Sequence, residues 1–325
     1  MTQKDGDFGW VVKEWDRLFG RRGNIAITQR DLITHLERTA TTNGEESNVD
    51  LAELDAAVRH LYRFQYAEAT RIGKTVILYP KDRTSREIHI AELIRRHLAT
   101  PPKRQINSTH HRHLQLRRNR GDALLSNSQM EAVLSCASAK IAILTGGPGT
   151  GKTTTSREIV RLAEEMGYTI ELAAPSGRAA QRLAESTGRR AATVHKMLGY
   201  FKEDGKPGEW RVNAESPLKA DFVLIDEASM IGEEEFEALL LALKPTATLL
   251  LVGDVNQLPS VSPGNILRDL IRSGVIPVSQ LNEVFRQAGD SFIVTNAYRI
   301  INGQLPEMSD HATDFRAART DGVVK

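Results

Sequence analysis

The sequence predicts an α/β fold in which a parallel sheet is flanked by helices and preceded by a small α-rich domain. After residue 122, short apolar runs alternate with amphipathic helical patterns, an order typical of a parallel sheet. Before residue 100, helical patterns lead into two β-prone runs separated by a glycine turn. The strands of the sheet are expected at 141–144, 169–173, 222–225, 248–252 and 275–278.

The composition is typical of an ordinary soluble globular protein. Hydrophobic residues make up 40% and charged residues 26% of the 325 positions, which excludes disordered, collagen-like and membrane-spanning classes. The most apolar region, 236–252, is interrupted by Glu237, Lys244 and Pro245, so it falls short of the roughly 18 apolar residues of a membrane helix. No secretory signal opens the chain, and the single Cys136 excludes an internal disulfide. We therefore expect a cytoplasmic protein with no membrane partner.

Residues 1–99 are predicted to form the small domain. Three amphipathic helices, a β-hairpin that turns at Gly73-Lys74 and a further helix follow one another. These helices are expected at about 8–19, after Thr28, after Asp50 and at about 85–98. Helices followed by a two-stranded wing resemble a winged-helix domain, whereas a plain α-rich packing module fits the same pattern.

Residues 100–122 are predicted to be a basic linker, because Pro101-Pro102 stop the preceding helix and no periodic pattern follows. The segment holds six Lys or Arg against one acidic residue. It is either a solvated tether or an arm that neutralises nucleic-acid phosphates. In the second case the contacts come from Lys103, Arg104, Arg112, Arg117, Arg118 and Arg120. A metal site at its three histidines is disfavoured, since no Cys or carboxylate stands at ligand spacing.

A glycine-rich loop follows the first expected strand of the sheet. Residues 146–153 fit the pattern G-x-x-x-x-G-K-[ST] between a strand and a helix, which is where a phosphate-binding loop must lie. Glycines let backbone N–H groups converge on phosphates, and the helix N-terminus adds positive potential. Lys152 is expected to reach the β- and γ-phosphates, and the Thr153 hydroxyl to bind Mg²⁺. The predicted nucleotide-binding set is Gly146, Gly147, Pro148, Gly149, Thr150, Gly151, Lys152, Thr153 and Thr154.

An acidic pair, Asp226-Glu227, follows the expected strand 222–225 directly. Asp226 is expected to hold the metal, and Glu227 to activate or orient the attacking water. Together with the glycine loop, this pair predicts a Mg²⁺-dependent ATPase or GTPase.

Further motifs follow other expected strands. Residues 174–180 come after 169–173, and residues 253–261 come after 248–252, where Gln257 is placed to sense the γ-phosphate. Gln129 stands before a helix upstream of the glycine loop, and Arg286 lies downstream. Taken in this order, over about residues 122–305, the motifs resemble those of the RecD-like helicases of superfamily 1B.

The resemblance implies a role for each matching residue. Gln129 corresponds to the glutamine that reads adenine, and Arg286 to an arginine near the γ-phosphate. Ser176 stands where many relatives have threonine, and it retains the hydroxyl. The residues implied to contact single-stranded DNA are Pro175, Ser176, Gly177 and Arg178 in one motif, and Thr193 and His195 in the next.

The resemblance also implies the activity and the cofactors. The cofactors would be ATP and Mg²⁺. The activity would be ATP hydrolysis coupled to 5′→3′ movement on single-stranded DNA, in recombination or repair.

Residues 200–212 are predicted to form a hairpin inserted in this domain. In the resembled family a hairpin at this place splits the duplex. Tyr200, Phe201 and Trp210 could stack on a base, or they could pack as the aromatics of a surface hairpin on the core.

The predicted domain plan is 1–99, a linker at 100–122, a RecA-like motor domain at 123–305, and the start of a following region at 306–325. RecD-like motors have a second RecA-like domain that carries two late motifs, and neither motif is found after Gln287. We therefore expect an N-terminal portion of a motor, which binds ATP–Mg²⁺ and DNA but hydrolyses ATP weakly and does not unwind duplexes.

The expected partners are single-stranded DNA or a junction with duplex, together with the second motor domain or a RecBCD-type complex. The chain itself is expected to be monomeric. The alternative function is a nucleotide-switched DNA-binding or adaptor protein without motor activity. The helicase half of a conjugative relaxase is less favoured, because no tyrosine and histidine-triad arrangement for nicking precedes the motor.

Overall fold

A computed structural model of the protein describes residues 9–20, 26–42, 51–121, 125–203, 208–284 and 291–307. The chain divides into two compact units. Unit 1 comprises Met1–Arg96, Met230–Leu241 and Pro259–Ile266, and unit 2 comprises His97–Ser229, Ala242–Leu258 and Leu267–Lys325. Across the part of the chain that the structure describes, no helix has the length and apolar character needed to cross a membrane. The domain boundaries drawn from the sequence stay predictions.

The N-terminal elements follow the order expected from the sequence. They are α1 (Gly9–Gly20), β1 (Ile27–Thr28), α2 (Gln29–Thr42), α3 (Leu51–Arg63), β2 (Ala67–Ile72), β3 (Thr75–Pro80) and α4 (Lys81–Ala99). Strand β3 is central and pairs antiparallel with both β1 and β2. A short strand between the first two helices thus completes a three-stranded sheet with the hairpin.

The core of unit 1 explains why these elements form. Leu32 and Leu36 lie one turn apart on α2, and both side chains are fully buried together with Leu78 of β3. The hairpin turns at Gly73, whose φ of +60° favours glycine. At the start of α2, the Thr28 hydroxyl accepts a hydrogen bond of 3.1 Å from the Asp31 N–H.

The chain then builds a larger sheet. Its elements are α5 (Ser108–Asn119), α6 (Asn127–Ser138), β4 (Ile141–Gly146), α7 (Lys152–Glu165), β5 (Ile170–Ala174), α8 (Gly177–Thr187), β6 (Ala192–Thr193), α9 (Val194–Met197), β7 (Tyr200–Phe201), β8 (Glu209–Trp210), β9 (Phe222–Ile225), α10 (Glu233–Ala242), β10 (Thr248–Gly253), α11 (Ile266–Ser273), β11 (Val278–Leu281) and α12 (Phe292–Ile301). Six strands form one sheet in the order β11-β4-β10-β9-β5-β6, and every pair in it is parallel.

The predicted parallel α/β fold is therefore confirmed. All residues of β4, β9 and β10 are buried, which accounts for their unbroken apolar runs. The last strand is shifted from the expected 275–278 to 278–281, and the physical reason is Pro277. Because proline has no N–H, it cannot donate to the ladder, although its carbonyl accepts from the Ile143 N–H at 3.0 Å.

The expectation that no regular element follows Pro101-Pro102 is wrong, because α5 occupies most of that segment. Asn107 caps α5 by accepting from the N–H groups of Thr109 and His110. Leu114 is fully buried in the core of unit 2. A single buried leucine in a helix of mostly polar residues leaves no periodic apolar pattern, so this helix depends on tertiary contacts.

Candidate nucleotide and strand-binding site

The glycine loop joins β4 to α7 at the carboxyl edge of the sheet. Gly149 and Gly151 have φ values of +77° and +83°, in the left-handed region where glycine is favoured. A Cβ on Gly146 would lie 2.6 Å from Thr150 Oγ1 and 2.7 Å from the Leu281 carbonyl oxygen, so the loop closes tightly against β11. No side chain of the described residues caps the first turn of α7, which leaves its N–H groups available to an anion. The loop therefore fits a polyphosphate.

Lys152 begins α7, and its ammonium group turns back onto the loop. Its Nζ donates to the carbonyl oxygens of Gly146 at 2.6 Å and Gly147 at 3.0 Å. Burial lowers the pKa of Lys152, while the negative charges of Asp254, Glu227 and Asp226 oppose this effect. One lysine thus faces three carboxylates.

The acidic pair Asp226-Glu227 leaves β9 at the same edge. The Asp226 N–H donates to the Ala173 carbonyl oxygen at 2.9 Å, and the Glu227 N–H donates to Asp226 Oδ1 at 3.0 Å. Glu227 has a φ of +52°, a conformation that a non-glycine residue adopts at a cost of about 1–3 kcal/mol. Such strain concentrates at functional sites.

Burial raises the pKa of both carboxyl groups in this pair. For Asp226, the Glu227 N–H and Lys152 oppose the shift. For Glu227, the charges of Asp226 and Asp254 add to the shift, whereas Lys152 and Arg182 oppose it. Carboxylates that outnumber their cations in a buried place favour a bound divalent cation.

The donor set at this edge suits Mg²⁺ better than a metal enclosed by protein alone. Among the residues that the structure describes, no group of three His, Cys, Asp or Glu side chains could hold a metal ion. Mg²⁺ is usually bound by one or two carboxylates together with substrate phosphates and waters. Asp226 and the Thr153 hydroxyl, one at the end of β9 and one in the first turn of α7, are residues of the right chemistry for such a site.

Three charged or polar residues near the loop were not singled out from the sequence. Asp254 follows β10 directly and is 3% exposed. The sequence could have predicted a role for Asp254, because it is an acidic residue directly after a buried parallel strand, as Asp226 is. Arg182 lies on α8, and Tyr298 lies on α12; neither shows a sequence signal that ties it to the loop.

Gln129 supports the loop from α6. Its Oε1 accepts from the Ser126 N–H at 3.0 Å, and its Nε2 donates to the Thr150 carbonyl oxygen at 3.3 Å. The side chain is 1% exposed, so both ends of the amide serve internal bonds. Gln257, by contrast, is exposed after β10, where its N–H donates to the Asp254 carbonyl oxygen at 3.1 Å. Arg286 lies outside the described residues.

The candidate strand contacts lie where β5 and β6 end. Ser176 caps α8 by accepting from the Ala179 N–H at 3.2 Å, and Thr193 caps α9 by accepting from the Lys196 N–H at 3.2 Å. Strands β5 and β6 are paired through Ala174↔Thr193, so the two caps start from neighbouring strand ends. The other candidates here are Pro175, Gly177, Arg178 and His195, of which Gly177 and Arg178 are exposed.

The predicted hairpin is confirmed by the pairing of β7 with β8. Tyr200 and Trp210 face each other with ring centroids 4.6 Å apart, and His195 lies 5.0 Å and 5.4 Å from these two rings. Phe201 is 43% exposed, and the Arg211 guanidinium lies 5.0 Å from its ring centroid. Tyr200 and Trp210 therefore pack within the hairpin, whereas only the ring of Phe201 faces solvent, where it could stack on a base.

Two of the six basic residues in 100–122 form ion pairs with acids of unit 2. Lys103 Nζ donates to Asp221 Oδ2 at 2.8 Å. Arg117 pairs with Glu165 and, through Nε at 3.3 Å, with Oε2 of the fully buried Glu158. Both cations hold the segment to unit 2 through these ion pairs, although the Lys103 side chain is itself exposed. Arg112 and Arg120 are exposed. Two of the six cations proposed to meet phosphates therefore already have acidic partners within unit 2.

Fold and site together define a P-loop nucleotide-binding domain. The AAA domain family matches residues 124–320 of the chain, which include the glycine loop, the acidic pair and Asp254.

Individual proteins similar to the chain are more specific than the family match. The chain is 36% identical over 277 residues to the ATP-dependent RecD2 DNA helicase of Deinococcus radiodurans, covering 85% of this chain and 37% of that protein. It is 36% identical over 169 residues to the RecBCD enzyme subunit RecD of Mycobacterium tuberculosis, covering 45% and 28%. For the RecBCD enzyme subunit RecD of Haemophilus influenzae, the identity is 32% over 196 residues, covering 53% and 29%. The chain thus spans well under half the length of these relatives.

The chain belongs to the AAA domain family. Within it, the chain is similar to RecD2 and RecD proteins over part of their length.

Proposed function

We propose that the chain is an ATP-binding motor lobe of a DNA helicase, in which ATP hydrolysis drives movement on single-stranded DNA. One observation carries the proposal: beside an uncapped helix N-terminus, the half-buried Lys152 turns back onto the glycine loop, where the negative charges of Asp226, Glu227 and Asp254 act on it. This is an arrangement suited to phosphoryl transfer.

In the proposed mechanism, ATP phosphates bind the glycine loop and the first turn of α7, and Lys152 neutralises their charge. Thr153 and Asp226 would hold Mg²⁺, which supplies further charge neutralisation at the phosphates when bound. Glu227 accepts a proton from the attacking water or orients it, a task that suits a carboxylate with a raised pKa. Gln257 and Arg286 respond to the γ-phosphate. For Gln129 to contact the adenine, its buried amide would have to exchange its bonds with Ser126 and Thr150 for bonds with the base.

The proposed path of single-stranded DNA crosses the ends of β5 and β6. There the loop residues Pro175 to Arg178 and the capping residue Thr193 would meet the backbone, with His195 beside them. The exposed ring of Phe201 offers a stacking surface at the hairpin. Movement in the 5′→3′ direction, and a role in recombination or repair, are proposals by analogy with the family.

Unwinding is inferred to need a second RecA-like lobe, in the same or a partner chain. An arginine supplied from across such a cleft raises phosphoryl-transfer rates by roughly 10³–10⁵ in related enzymes. We therefore expect slow hydrolysis from residues 1–325 alone. A RecBCD-type complex is one setting in which the partner lobe could be found.

The test compares ATP turnover with and without single-stranded DNA in the wild type, Lys152→Ala and Lys13→Ala. Lys13 is an exposed lysine of α1 and serves as the matched control. We expect DNA to stimulate turnover, Lys152→Ala to lower it by about 100-fold or more, and the control to match the wild type. Nucleotide-dependent DNA binding without turnover in the wild type would support the adaptor alternative instead.

A further inference from the structure

The hydroxyl of Tyr298 contacts the glycine loop from α12. It donates to the Pro148 carbonyl oxygen at 3.3 Å, across 150 positions of sequence. A Cβ on Gly147 would collide with the same hydroxyl group, so a glycine at 147 makes room for the tip of the tyrosine ring. The contact is therefore a close fit between two parts of unit 2.

Other side chains hold the two preceding carbonyl groups of the loop. Lys152 donates to Gly146 and Gly147, and Thr150 Oγ1 donates to Gly147 at 2.9 Å. The Pro148 carbonyl completes this row with a donor that comes from another helix. Three successive carbonyl groups are thus directed toward side-chain donors.

Fixing the Pro148 carbonyl also fixes a backbone donor. The peptide bond between Pro148 and Gly149 is a rigid plane in which the carbonyl and the following N–H point in opposite directions. Proline has no N–H, and Gly149 has a φ of +77°, so glycine permits several orientations of this plane. The bond from Tyr298 selects the orientation that turns the Gly149 N–H away from α12.

Helix α12 is bonded to the segment that follows it. Asn296 is 1% exposed; its Nδ2 donates to the Glu307 carbonyl oxygen at 2.9 Å, and its Oδ1 accepts from the Glu307 N–H at 2.6 Å. Arg299 Nε donates to the Leu305 carbonyl oxygen at 2.8 Å. These bonds fold the segment after α12 back onto the helix that presents Tyr298.

The hydroxyl keeps its proton under ordinary conditions. Burial, followed by the negative charge of Asp254, raises the pKa of Tyr298. The group is therefore a persistent donor to the carbonyl.

We propose that Tyr298 is a positioning residue of the nucleotide site, whose hydroxyl orients the Pro148–Gly149 peptide so that the Gly149 N–H faces the phosphates. This inference rests on the proposed binding of ATP at the glycine loop. It adds to that function a residue that sets nucleotide affinity without touching the nucleotide.

The test uses Tyr298→Phe, which removes the hydroxyl and keeps the ring. Tyr168→Phe is the matched control, because the Tyr168 hydroxyl also donates to a backbone carbonyl of unit 2, that of Arg104 at 2.9 Å. We expect Tyr298→Phe to raise the Kd for ATP about two- to tenfold, the range of one neutral hydrogen bond. Its Tm should stay within about 1 °C of the wild type, because it loses one long hydrogen bond of 3.3 Å, whereas Tyr168→Phe loses two: the buried Tyr168 hydroxyl also accepts from the Arg104 N–H at 2.9 Å. The control should lower the Tm and leave the Kd unchanged.

A spectroscopic measurement reads the peptide plane itself. Labelling proline carbonyl carbons with ¹³C and glycine nitrogens with ¹⁵N selects only Pro-Gly bonds, of which the sequence has three, at 148–149, 207–208 and 263–264. We expect Tyr298→Phe to move the first signal and leave the other two in place, with Pro148→Ala identifying the first by its loss.

The outcomes separate the two proposals. Wild-type protein that fails to bind ATP would overturn the proposed function. Normal wild-type binding, together with an unchanged Kd and an unmoved 148–149 signal in Tyr298→Phe, would overturn only the role of Tyr298.

Discussion

Strand β9 has an aspartate at each end, buried Asp221 and half-buried Asp226, and their environments differ. Asp221, just before the strand, receives hydrogen bonds from Lys103 at 2.8 Å and from Thr169 Oγ1 at 2.9 Å, and Lys244 lies 3.5 Å away. Asp226, just after the strand, shares Lys152 with two other carboxylates.

The pKa values move in opposite directions as a result. Burial raises the pKa of Asp221, but its hydrogen bonds and Lys244 outweigh burial and lower it to about 2. At Asp226, burial prevails and raises the pKa. The difference teaches that burial alone does not mark a functional acid. An acid whose partners satisfy it stabilises the fold, whereas acids that outnumber their cations are candidates for chemistry.

The largest expected effect comes from a substitution at the carboxyl end of β9 and concerns the rate of ATP hydrolysis. Glu227→Gln removes the candidate base while keeping the shape of the side chain, so we expect single-turnover ATP hydrolysis to fall by about 10²–10⁴-fold. ATP binding should persist, because Lys152 and the glycine loop are unchanged. Hydrolysis at the wild-type rate would show that Glu227 is not the base. Asp221→Asn, at the other end of β9, is the control and should leave the hydrolysis rate unchanged.

The next largest effect comes from a substitution at the amino end of β9 and concerns the free energy of unfolding. Asp221→Asn should lower the free energy of unfolding by about 2 kcal/mol at neutral pH, as the lowered pKa implies, measured by urea denaturation. Asp226→Asn should not destabilise, since it removes one of three mutually repelling carboxylates. If both variants lost equal stability, the contrast between the two ends of β9 would be refuted.

The stability contributions of the two ends of β9 should change with pH in opposite directions. The contribution of Asp221 is fully present above its unfolded pKa near 3.8 and is lost as pH falls through about 2, so the deficit of Asp221→Asn should shrink over that range. Asp226 and Glu227 have raised pKa values, so they oppose folding at high pH, and their cost should lessen as they become protonated.

The smallest expected effect concerns the cations of 100–122. Arg112 and Arg120 are exposed, so replacing both with alanine should make the slope of log affinity for single-stranded DNA against log salt shallower by at most about 0.7 for each arginine. Arg117→Ala should instead lower the free energy of unfolding, because it leaves the buried Glu158 with fewer cations. If Arg117→Ala reduced the salt dependence of DNA affinity more than the double substitution of Arg112 and Arg120, the distinction between paired and exposed arginines would be contradicted.

Local sequence patterns are enough to predict the sheet, the glycine loop and the acidic pair. The reason is local: unbroken apolar runs mark buried parallel strands, and the loop needs glycine at positions such as Gly149 and Gly151. The order of the N-terminal helices and hairpin was also predictable, because the hairpin turns at a glycine and its flanking helices have regular apolar faces.

Tertiary structure decided what no local pattern records. Helix α5 exists because Leu114 and Arg117 find buried partners, although its own residues show no apolar periodicity. Tyr298 meets Pro148 only because the fold joins positions 150 residues apart. Asp221 and Asp226 flank one strand as the same residue type, and only the neighbours supplied by other elements give one a lowered and the other a raised pKa.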